Sequence, residues 1–275
     1  MNNTSLPNTK PLVSVLMTCY NRENYISSAI ESVLSSTYPN FELIIVDDGS
    51  SDQTVSIAEG YASKDKRIRF YRNEKNLGDY HNRNKAASYA KGKYIVYLDS
   101  DDLMYDFALE FSVKFMEMFP EAGFGMPAFY DKKAPYPVCI TPKEIYEDHF
   151  FRDFGHFSRS PASGIIKLEV FNALKGFSGK RLVGDMEFWM KISRYYKMVK
   201  YATPNFWYRS DNADKESSLE MHYAKLRNEL MKEALRHPEC PLDIKDSKQI
   251  LKQVSQRKFQ RLVSRGWNKI KNKLP

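Results

Sequence analysis

Short apolar runs alternate with segments of helical period along the first hundred residues. The runs cover residues 12–18, 41–48, 67–72 and 94–98, and most of their side chains are β-branched, aromatic or aliphatic, as in buried strands. Between them, apolar residues recur every three or four positions over 25–34 and 55–62, and residues 79–90 have a helical composition. This alternation predicts βαβ units, and therefore an α/β fold with a mostly parallel central sheet flanked by helices.

The pattern is less regular after residue 105. Strands are predicted at 124–130, 163–166, 198–202 and 206–209, and helices at 104–119, 168–173, 185–195, 217–236 and 247–273. The aromatic segment 144–161 is weakly patterned, which predicts a loop with short helices over the ligand site. Residues 237–243 contain two prolines and are predicted to link the last two helices.

Polar side chains follow three of the predicted strands at the point where each strand ends. They are Thr18, Tyr20, Asn21 and Arg22 after the first strand, Asp47 and Asp48 after the second, and Asp99, Ser100, Asp101 and Asp102 after the fourth. Ligands of parallel sheets bind at the carboxyl ends of the strands. Three such clusters at one edge of one sheet therefore predict a binding site.

Size and composition predict a globular protein of the cytoplasm. The 275 residues, 42% of them hydrophobic, allow one large domain or a domain with an appendage. The three cysteines are far apart and have no metal-ligand spacing, which indicates free thiols in a reducing compartment. The first ten residues contain no apolar signal core, and no run of about 18 apolar residues follows, so we expect the chain to stay in the cytoplasm.

The net charge of +8 is concentrated at one end of the chain. Residues 243–275 hold ten Lys or Arg and two Asp, which leaves 32 basic and 32 acidic residues in positions 1–242. This distribution argues against a nucleic-acid-coating protein and for a localised basic contact. Within 247–273, apolar residues including Trp267 share one helix face and basic residues fill much of the rest, which is typical of a helix on the inner surface of a membrane. Packing of that face on the rest of the protein or on a partner chain is the alternative.

Two stretches of the sequence resemble the family 2 glycosyltransferases. They are VSVLMTCYNRENYISSAIESVLSSTYPNFELIIVDDGSSDQT and NLGDYHNRNKAASYAKGKYIVYLDSDD, which match the family in order and spacing over about residues 12–105. The resemblance implies a GT-A nucleotide-sugar-binding fold. Residues 1–105 are then the nucleotide-sugar-binding half, 106–215 the half for the acceptor and the catalytic base, and 216–275 a basic helical extension.

The same resemblance implies inverting transfer of a sugar to a hydroxyl of a glycan or lipid-linked acceptor. We interpret the donor as a UDP-sugar and the process as bacterial surface polysaccharide synthesis. Processive relatives carry a Gln-x-x-Arg-Trp motif and transmembrane helices, and we find neither in this sequence. A non-processive enzyme is therefore expected.

The acidic cluster after the fourth strand has the composition of a metal site. In an extended backbone residues i and i+2 point to the same side, so Asp99 and Asp101 can converge, and oxygen-only ligands suit Mg²⁺ or Mn²⁺ shared with substrate phosphates. The resemblance implies that Asp101 directly coordinates the metal ion, which in turn contacts the diphosphate. It also implies that Asp99 lies near the ribose and in the coordination shell of the metal. Asp102 is either a ligand or the N-cap of a helix that begins near Leu103. Some relatives supply a histidine ligand that is missing here, so Asp211 or a water is expected in its place.

The resemblance also implies which residues bind the nucleotide. Asp48 matches the aspartate that accepts a hydrogen bond from the uracil imide, whereas Asp47 could equally serve the turn that follows. The residues that correspond to the wall around base and ribose are Thr18, Tyr20, Asn21 and Arg22, although Asn21 also suits a turn; Ser100 is grouped with the nucleotide-sugar contacts. Arg83 matches a position that reaches the uridine or diphosphate, where a cation suits a pyrophosphate; a solvated helix surface is the alternative.

Inverting transfer needs a carboxylate that takes the acceptor proton. The resemblance places it in LVGDMEFWMKI, where many relatives have Glu-Asp and this chain has Gly184-Asp185, so Asp185 is the expected base and Glu187 the alternative. A nucleotidyltransferase remains open, but it would usually have a Gly-rich phosphate loop where TCYNREN has no glycine. If the protein were a non-catalytic glycan- or membrane-binding relative, we would expect a degraded metal site, with some of its acidic residues replaced. Asp99, Asp101 and Asp185 are all present.

Overall fold

The computed structural model describes residues 10–128, 136–152, 155–209 and 220–254. In the first of these ranges strands and helices alternate as predicted: β1 (Val13–Cys19), α1 (Ile26–Leu34), β2 (Phe41–Asp47), α2 (Thr54–Ala62), β3 (Ile68–Arg72), α3 (Asp79–Ser88) and β4 (Tyr94–Asp99). β1 pairs in parallel with β2 and with β4, and β2 pairs in parallel with β3. Both faces of β1, β2 and β4 are buried, which explains why these strands are continuous apolar runs in the sequence.

The register of these strands brings the predicted polar clusters together. Cys19 at the end of β1 lies opposite Asp47 of β2, and Thr18 lies opposite Asp99 of β4. The segments that follow the three strands therefore leave the sheet side by side. The strand order is β3-β2-β1-β4, so the chain reverses its direction of winding between β1 and β4. Open α/β sheets bind ligands at such a switch point.

The second half of the chain extends this sheet. Its elements are β5 (Leu103–Met104), α4 (Ala108–Met118), β6 (Ala122–Pro127), β7 (Val138–Ile140), α5 (Pro142–Phe151), β8 (Ile165–Lys167), α6 (Leu168–Ala173), α7 (Gly184–Tyr195), β9 (Lys197–Tyr201), β10 (Phe206–Trp207) and α8 (Glu220–Arg236). A further helix, α9, covers 244–254. The strand order continues from β4 as β8-β6-β9-β7. β8 runs antiparallel to both neighbours and β7 antiparallel to β9, while β6 and β9 are parallel, so the eight-stranded sheet is mixed.

The helix after the acidic cluster begins later than predicted. α4 starts at Ala108 rather than at residue 104, because the two residues of β5 pair antiparallel with β10. The expectation that Asp102 caps a helix beginning near Leu103 is therefore wrong. Phe107 holds the N-cap position of α4, and it makes no side-chain capping bond.

The aromatic segment is also more regular than predicted. Its first part forms α5, whose start is fixed by a capping box between Thr141 and Glu144. Ile145 and Tyr146 are fully buried in the same apolar cluster as α7. The short helix expected in this segment is present, but the expected place over the ligand site is wrong for Tyr146, whose side chain belongs to the core.

The described part of the C-terminal region packs on the sheet. Leu230 and Leu235 of α8 and Ile250 of α9 belong to the buried cluster that covers one face of it. Residues 255–275, which hold most of the predicted basic helix, lie outside the described residues, so its contact with a membrane stays a prediction, as does the three-part division of the chain. No helix within the described ranges combines the length and the apolar character needed to cross a membrane.

Candidate active site

A cleft of about 810 Å³ opens at the carboxyl ends of β1, β2 and β4. This volume lies in the range of small-molecule and cofactor sites in proteins. Eight of the ten predicted site residues line the cleft: Thr18, Tyr20, Arg22, Asp48, Arg83, Asp99, Ser100 and Asp101. The other two, Asn21 and Asp185, lie beside it and are described below.

The two aspartates that follow β2 have different surroundings. Asp47 is fully buried and accepts the backbone N–H groups of Gly49 and Ser50 at 3.0 Å each, so it holds the turn. Asp48 lines the cleft, and its carboxylate accepts the N–H groups of Leu77 at 2.8 Å and Gly78 at 2.9 Å, together with the amide of Asn73 at 2.8 Å. These three donors hold an acceptor in a fixed orientation at the cleft wall.

Arg83 is buried under the floor of the cleft rather than on a solvated helix surface. Its Nε donates to Asp79 Oδ1 at 2.7 Å, and its Nη2 donates to Asp99 Oδ1 at 2.6 Å. The guanidinium also lies over the ring of Tyr97, 5.7 Å from its centroid. Nη1 is buried and has no hydrogen-bond partner among the described residues. Because a buried charged donor without a partner is unfavourable, Nη1 is a ready donor for an anion that enters the cleft.

The acidic turn after β4 is fixed by two arginines. Arg22 Nε lies 3.3 Å from Asp101 Oδ2, and Arg209 Nε donates to the backbone oxygen of Asp101 at 2.9 Å. Asp102 is nearly fully buried and accepts the Arg209 backbone N–H at 3.0 Å. Burial, with a smaller contribution from the charges of Asp99 and Asp101, raises the pKa of Asp102 to about 6. Asp102 thus supports the turn and ties it to the segment after β10.

The side chains that line the cleft suit a divalent cation that keeps part of its coordination shell for ligands from outside the protein. Five aspartates and three arginines line the cleft, an excess of two negative charges. No group of three His, Cys, Asp or Glu side chains converges on a metal position within the described ranges. Two carboxylates, Asp99 and Asp101, are enough for Mg²⁺ or Mn²⁺, which complete their shells with waters and substrate phosphates. Asp211, the expected further ligand, lies outside the described residues.

The rim of the cleft combines exposed aromatic rings with a tight turn. The side chains of Tyr20 and Tyr208 line the cleft and remain largely exposed. Asn21 has a left-handed backbone with φ 52°, and its Oδ1 accepts the Ser51 N–H at 2.9 Å. These contacts favour the alternative that Asn21 is a turn residue, and its contact with a nucleotide stays a prediction.

Asp185 lies in the first turn of α7, behind the cleft-lining residue Tyr80. Its Oδ1 accepts the Met186 N–H at 2.7 Å. Burial raises the pKa of the Asp185 carboxyl, while the Met186 N–H, the Tyr80 hydroxyl and the charge of Arg83 act in the opposite direction. A partly buried carboxylate with a raised pKa is suited to accept a proton.

Glu187, the alternative base, is engaged elsewhere. It accepts a short hydrogen bond from the Ser178 hydroxyl, and Lys180 Nζ lies 2.6 Å from its Oε1. Glu187 also lines a separate groove between α7 and α8 and not the main cleft. The surroundings of the two acids therefore favour Asp185.

Several cleft residues were missed from the sequence. Apart from Asp102, which the sequence offered as a possible ligand, the remaining lining residues are Cys19, Asn76, Leu77, Gly78, Asp79, Tyr80, His81, Asn82, Gly179, Arg181, Leu182 and Tyr208. Three of them belong to the loop 174–183, in which Lys175, Gly176, Gly179 and Leu182 all have positive φ angles. The side-chain amide of Asn84 fixes this loop by bonding both the N–H and the carbonyl of Phe177. The paired glycines were the one local signal for this loop, and no local signal identifies the role of Arg209.

Comparison with known proteins identifies the family. Residues 14–174 match the model described as glycosyl transferase family 2. An uncharacterized glycosyltransferase of Methanocaldococcus jannaschii is 36% identical over 213 residues, which cover 71% of this chain and 72% of that protein. The putative teichuronic acid biosynthesis glycosyltransferase TuaG of Bacillus subtilis is 43% identical over 111 residues, which cover 40% of this chain and 44% of TuaG.

Solved structures with bound nucleotide-sugars share the fold. S. aureus TarS 1-349 in complex with UDP-GlcNAc superposes with a TM-score of 0.68 at 21% identity, covering 90% of this chain and 72% of that chain. The mannosyltransferase PcManGT of Pyrobaculum calidifontis, in complex with GDP-Man and Mn²⁺, superposes with a TM-score of 0.62 at 19% identity, covering 91% and 74%. The sequence motifs, the sheet with its cleft and these matches lead to one conclusion: the chain belongs to glycosyltransferase family 2 and has the GT-A fold.

Proposed function

We propose that this protein is an inverting, non-processive glycosyltransferase that moves a sugar from a UDP-sugar to a hydroxyl of a glycan or lipid-linked acceptor. The observation that carries the proposal is the convergence of three strand ends on one cleft. Asp48, Arg83 and Asp101 line this cleft together, and Asp185 lies beside it at the start of α7. The cleft therefore offers an acceptor for a base, a donor for a diphosphate and a nearby carboxylate for proton transfer.

The donor half of the proposal rests on the strand ends. The fixed carboxylate of Asp48 would accept the imide N–H of uracil, and the exposed ring of Tyr20 would lie against the base. Arg83 Nη1 would donate to a diphosphate oxygen. Binding of UDP-GlcNAc by TarS and of GDP-Man by PcManGT supports a nucleotide-sugar donor.

The proposal includes a divalent cation, which Asp101 and Asp99 would hold. The excess negative charge of the cleft and the Mn²⁺ of the PcManGT complex support it. When bound, the cation would offset the charge that develops on the departing diphosphate. Arg22, now paired with Asp101, would be released toward the donor as the carboxylate takes up the cation.

Asp185 would act as the general base. The acceptor oxygen forms a bond to C1 of the sugar on the face opposite the diphosphate, the bond between C1 and the diphosphate oxygen breaks, and the acceptor proton passes to Asp185. Because the pKa of this carboxyl is raised by burial, it holds a proton better than an exposed aspartate. The leaving group departs as UDP, and the anomeric configuration is inverted.

A surface glycan is the acceptor that we propose. The name of TuaG assigns that relative to teichuronic acid biosynthesis. A lipid-linked acceptor would be met at the inner face of the membrane, where the basic helix predicted within 247–273 would hold the enzyme. The nucleotidyltransferase alternative is disfavoured, because the turn after β1 has no glycine to cradle a phosphate.

A donor screen tests the proposed function. The protein is incubated with Mn²⁺ and a panel of UDP- and GDP-sugars, and slow hydrolytic release of the nucleotide is measured. We expect release from one or a few UDP-sugars. Asp101→Ala should abolish the metal-dependent part of nucleotide binding in calorimetry, whereas Asp106→Ala, at an exposed acid of the next segment, should leave it unchanged. Failure of every nucleotide to bind in a metal-dependent way would contradict the proposal.

A further inference from the structure

Asn84 on α3 is joined to the loop 174–183 by two hydrogen bonds. Its Nδ2 donates to the carbonyl oxygen of Phe177 at 2.8 Å, and its Oδ1 accepts the Phe177 N–H at 2.9 Å. One side chain therefore satisfies both backbone polar groups of Phe177, as a neighbouring strand would. A Cβ atom at Gly176 would collide with Asn84 Oδ1, so a side chain at that position would displace the amide.

The backbone of this loop needs such support. Lys175 and Leu182 have a Cβ atom and yet have φ angles of 59° and 71°, and Gly176 and Gly179 have φ angles of 60° and 85°. Left-handed backbone is unfavourable for residues other than glycine, and it persists where the surrounding contacts impose it. The two bonds from Asn84 fall between the glycines and fix the backbone there.

The loop transmits this restraint to the cleft and to the proposed base. Three of its residues line the cleft, and it ends where α7 begins. Asp185, in the first turn of α7, follows Phe177 by only eight positions in the chain. The Phe177 ring also packs on that of Phe188 in α7, with 4.8 Å between the centroids. The position of the loop therefore decides where the carboxylate of Asp185 stands at the edge of the cleft.

The same helix holds the donor side of the cleft. Arg83, which precedes Asn84 in the sequence, donates to Asp99 Oδ1 at 2.6 Å, and Asp99 is one of the two proposed metal ligands. Consecutive side chains of a helix point about 100° apart, so these two residues reach in different directions. α3 thus bonds the acidic turn through one residue and the loop before the base through the next.

We propose that Asn84 is a positioning residue, which holds the loop 174–183 so that the Asp185 carboxylate stands at a fixed distance from the donor. The inference rests on the proposed function, because it assigns Asn84 a task through the proposed base. When the amide is lost, the loop and the first turn of α7 gain freedom, and fewer encounters of acceptor and donor have the base within reach. Nucleotide binding is kept, because the bonds from this side chain go to the loop.

Two substitutions test the proposal by separating kcat from nucleotide affinity. Asn84→Ala removes both bonds, and Asn84→Asp keeps the acceptor for the Phe177 N–H but loses the donor to the carbonyl. We expect kcat for transfer, counted per UDP-binding site in calorimetry, to fall by about tenfold or more in Asn84→Ala and by less in Asn84→Asp. The affinity for UDP with Mn²⁺ should stay within about twofold of wild type in both. A merely structural residue would lower the fraction of folded protein, and the count of binding sites corrects for that.

Asn40→Asp is the matched control. The Asn40 amide donates to the carbonyl oxygen of Lys10 at 2.7 Å, and the residue lies just before β2, at the edge of the sheet opposite the cleft. The variant loses the same kind of bond, from a side-chain amide to a backbone carbonyl, at a distance from the site. Its kcat per binding site should stay near wild type.

Hydrogen exchange followed by mass spectrometry tests the loop without turnover. In Asn84→Ala the amides of 174–183 should exchange about tenfold faster, the factor expected for the loss of an ordinary hydrogen bond. Asn84→Asp should show a smaller effect of the same kind, and it decides the question if Asn84→Ala does not fold. Unchanged loop exchange, or an unchanged kcat per site in the folded variants, would overturn the role of Asn84. Faster loop exchange in a protein whose wild type turns over no donor would contradict the proposed function and leave the restraint of the loop standing.

Discussion

Charged residues of the cleft are paired before any ligand arrives. Arg83 bonds both Asp79 and Asp99, and Arg22 lies against Asp101. A nucleotide diphosphate and its cation would therefore replace contacts within existing ion pairs, instead of binding to charged side chains that have no partner. Such preorganisation reduces the rearrangement that binding and charge development require.

Substitutions at the two acids of α7 should separate catalysis from structure. Asp185→Asn keeps an oxygen for the Met186 N–H but removes the proposed base, so we expect kcat to fall by about 10²–10⁴-fold with little change in nucleotide affinity. Glu187→Gln weakens the partly exposed pair with Lys180, which should reduce stability by about 1 kcal/mol or less and leave kcat near wild type. Steady-state kinetics and calorimetry with UDP check both. The reverse pattern would make Glu187 the base.

The role of a site residue was predictable where a family motif identifies it. The role was ambiguous where it depends on a contact with a residue far away in the sequence. By resemblance the sequence assigned Asp48 to the nucleotide, but it left open whether Asp47 serves the turn. The contacts that fix the orientation of Asp48, the N–H groups of Leu77 and Gly78, lie about 30 residues further along the chain and have no local signal. Arg209 was missed for the same reason, since its partners lie in the acidic turn.

At the scale of elements, the strength of the local pattern decided what could be predicted. Strands buried on both faces, such as β1 and β2, left unambiguous apolar runs. β10 falls within the strand predicted at 206–209, whereas the two residues of β5 form a strand only because they pair with β10 across the fold, so no local period marks β5. α5 did carry a local signal in the capping box of Thr141 and Glu144, but the aromatic segment was interpreted only as a loop with short helices, without the bounds of this helix.

The contact between α3 and α7 should appear as a coupling energy in a double-mutant cycle. Gly184→Ala places a Cβ within 2.9 Å of the Tyr80 ring, so we expect it to destabilise the wild-type protein by about 1–3 kcal/mol. In a Tyr80→Leu background the ring is absent, and the same change should be neutral or stabilising by up to about 1 kcal/mol. The reason is that alanine allows the unfolded chain fewer backbone conformations than glycine does. Denaturant unfolding of the four proteins measures both values. Equal effects in the two backgrounds would show that the close approach is relieved in solution.

At the scale of the whole molecule, one continuous core joins the cleft to buried polar groups far from it. α5 and β9 enclose Asp148 and Lys200, whose carboxylate and ammonium groups are 2.6 Å apart and nearly inaccessible to solvent. His149 lies next to this pair in sequence, stacked on Phe157 with 4.3 Å between the ring centroids. Its Nδ1 accepts the Phe157 N–H at 3.2 Å, which requires the neutral imidazole. The core therefore excludes a proton that the unfolded chain would take up.

This arrangement predicts an acid-dependent loss of stability to which His149 contributes. Burial, followed by the charges of His156 and Arg227, lowers the pKa of His149 from 6.5 to about 3. Between these values the unfolded state binds one proton more than the folded state at this residue, so the free energy of unfolding falls as the pH falls, by about 1.4 kcal/mol per pH unit once well below 6.5.

His149→Asn keeps an acceptor for the Phe157 N–H but cannot be protonated. From pH 6.5 to 5.0 the variant should therefore lose about 1.5 kcal/mol less stability than wild type in denaturant unfolding, whatever its stability at neutral pH. Tyr146→Phe, at a buried residue of the same helix, should keep the wild-type slope, because it changes no titrating group in this range. Parallel slopes for wild type and His149→Asn would mean that the imidazole is protonated in the folded protein. The hydrogen bond from Phe157 would then have to be absent in solution, because a protonated Nδ1 has no lone pair to accept it.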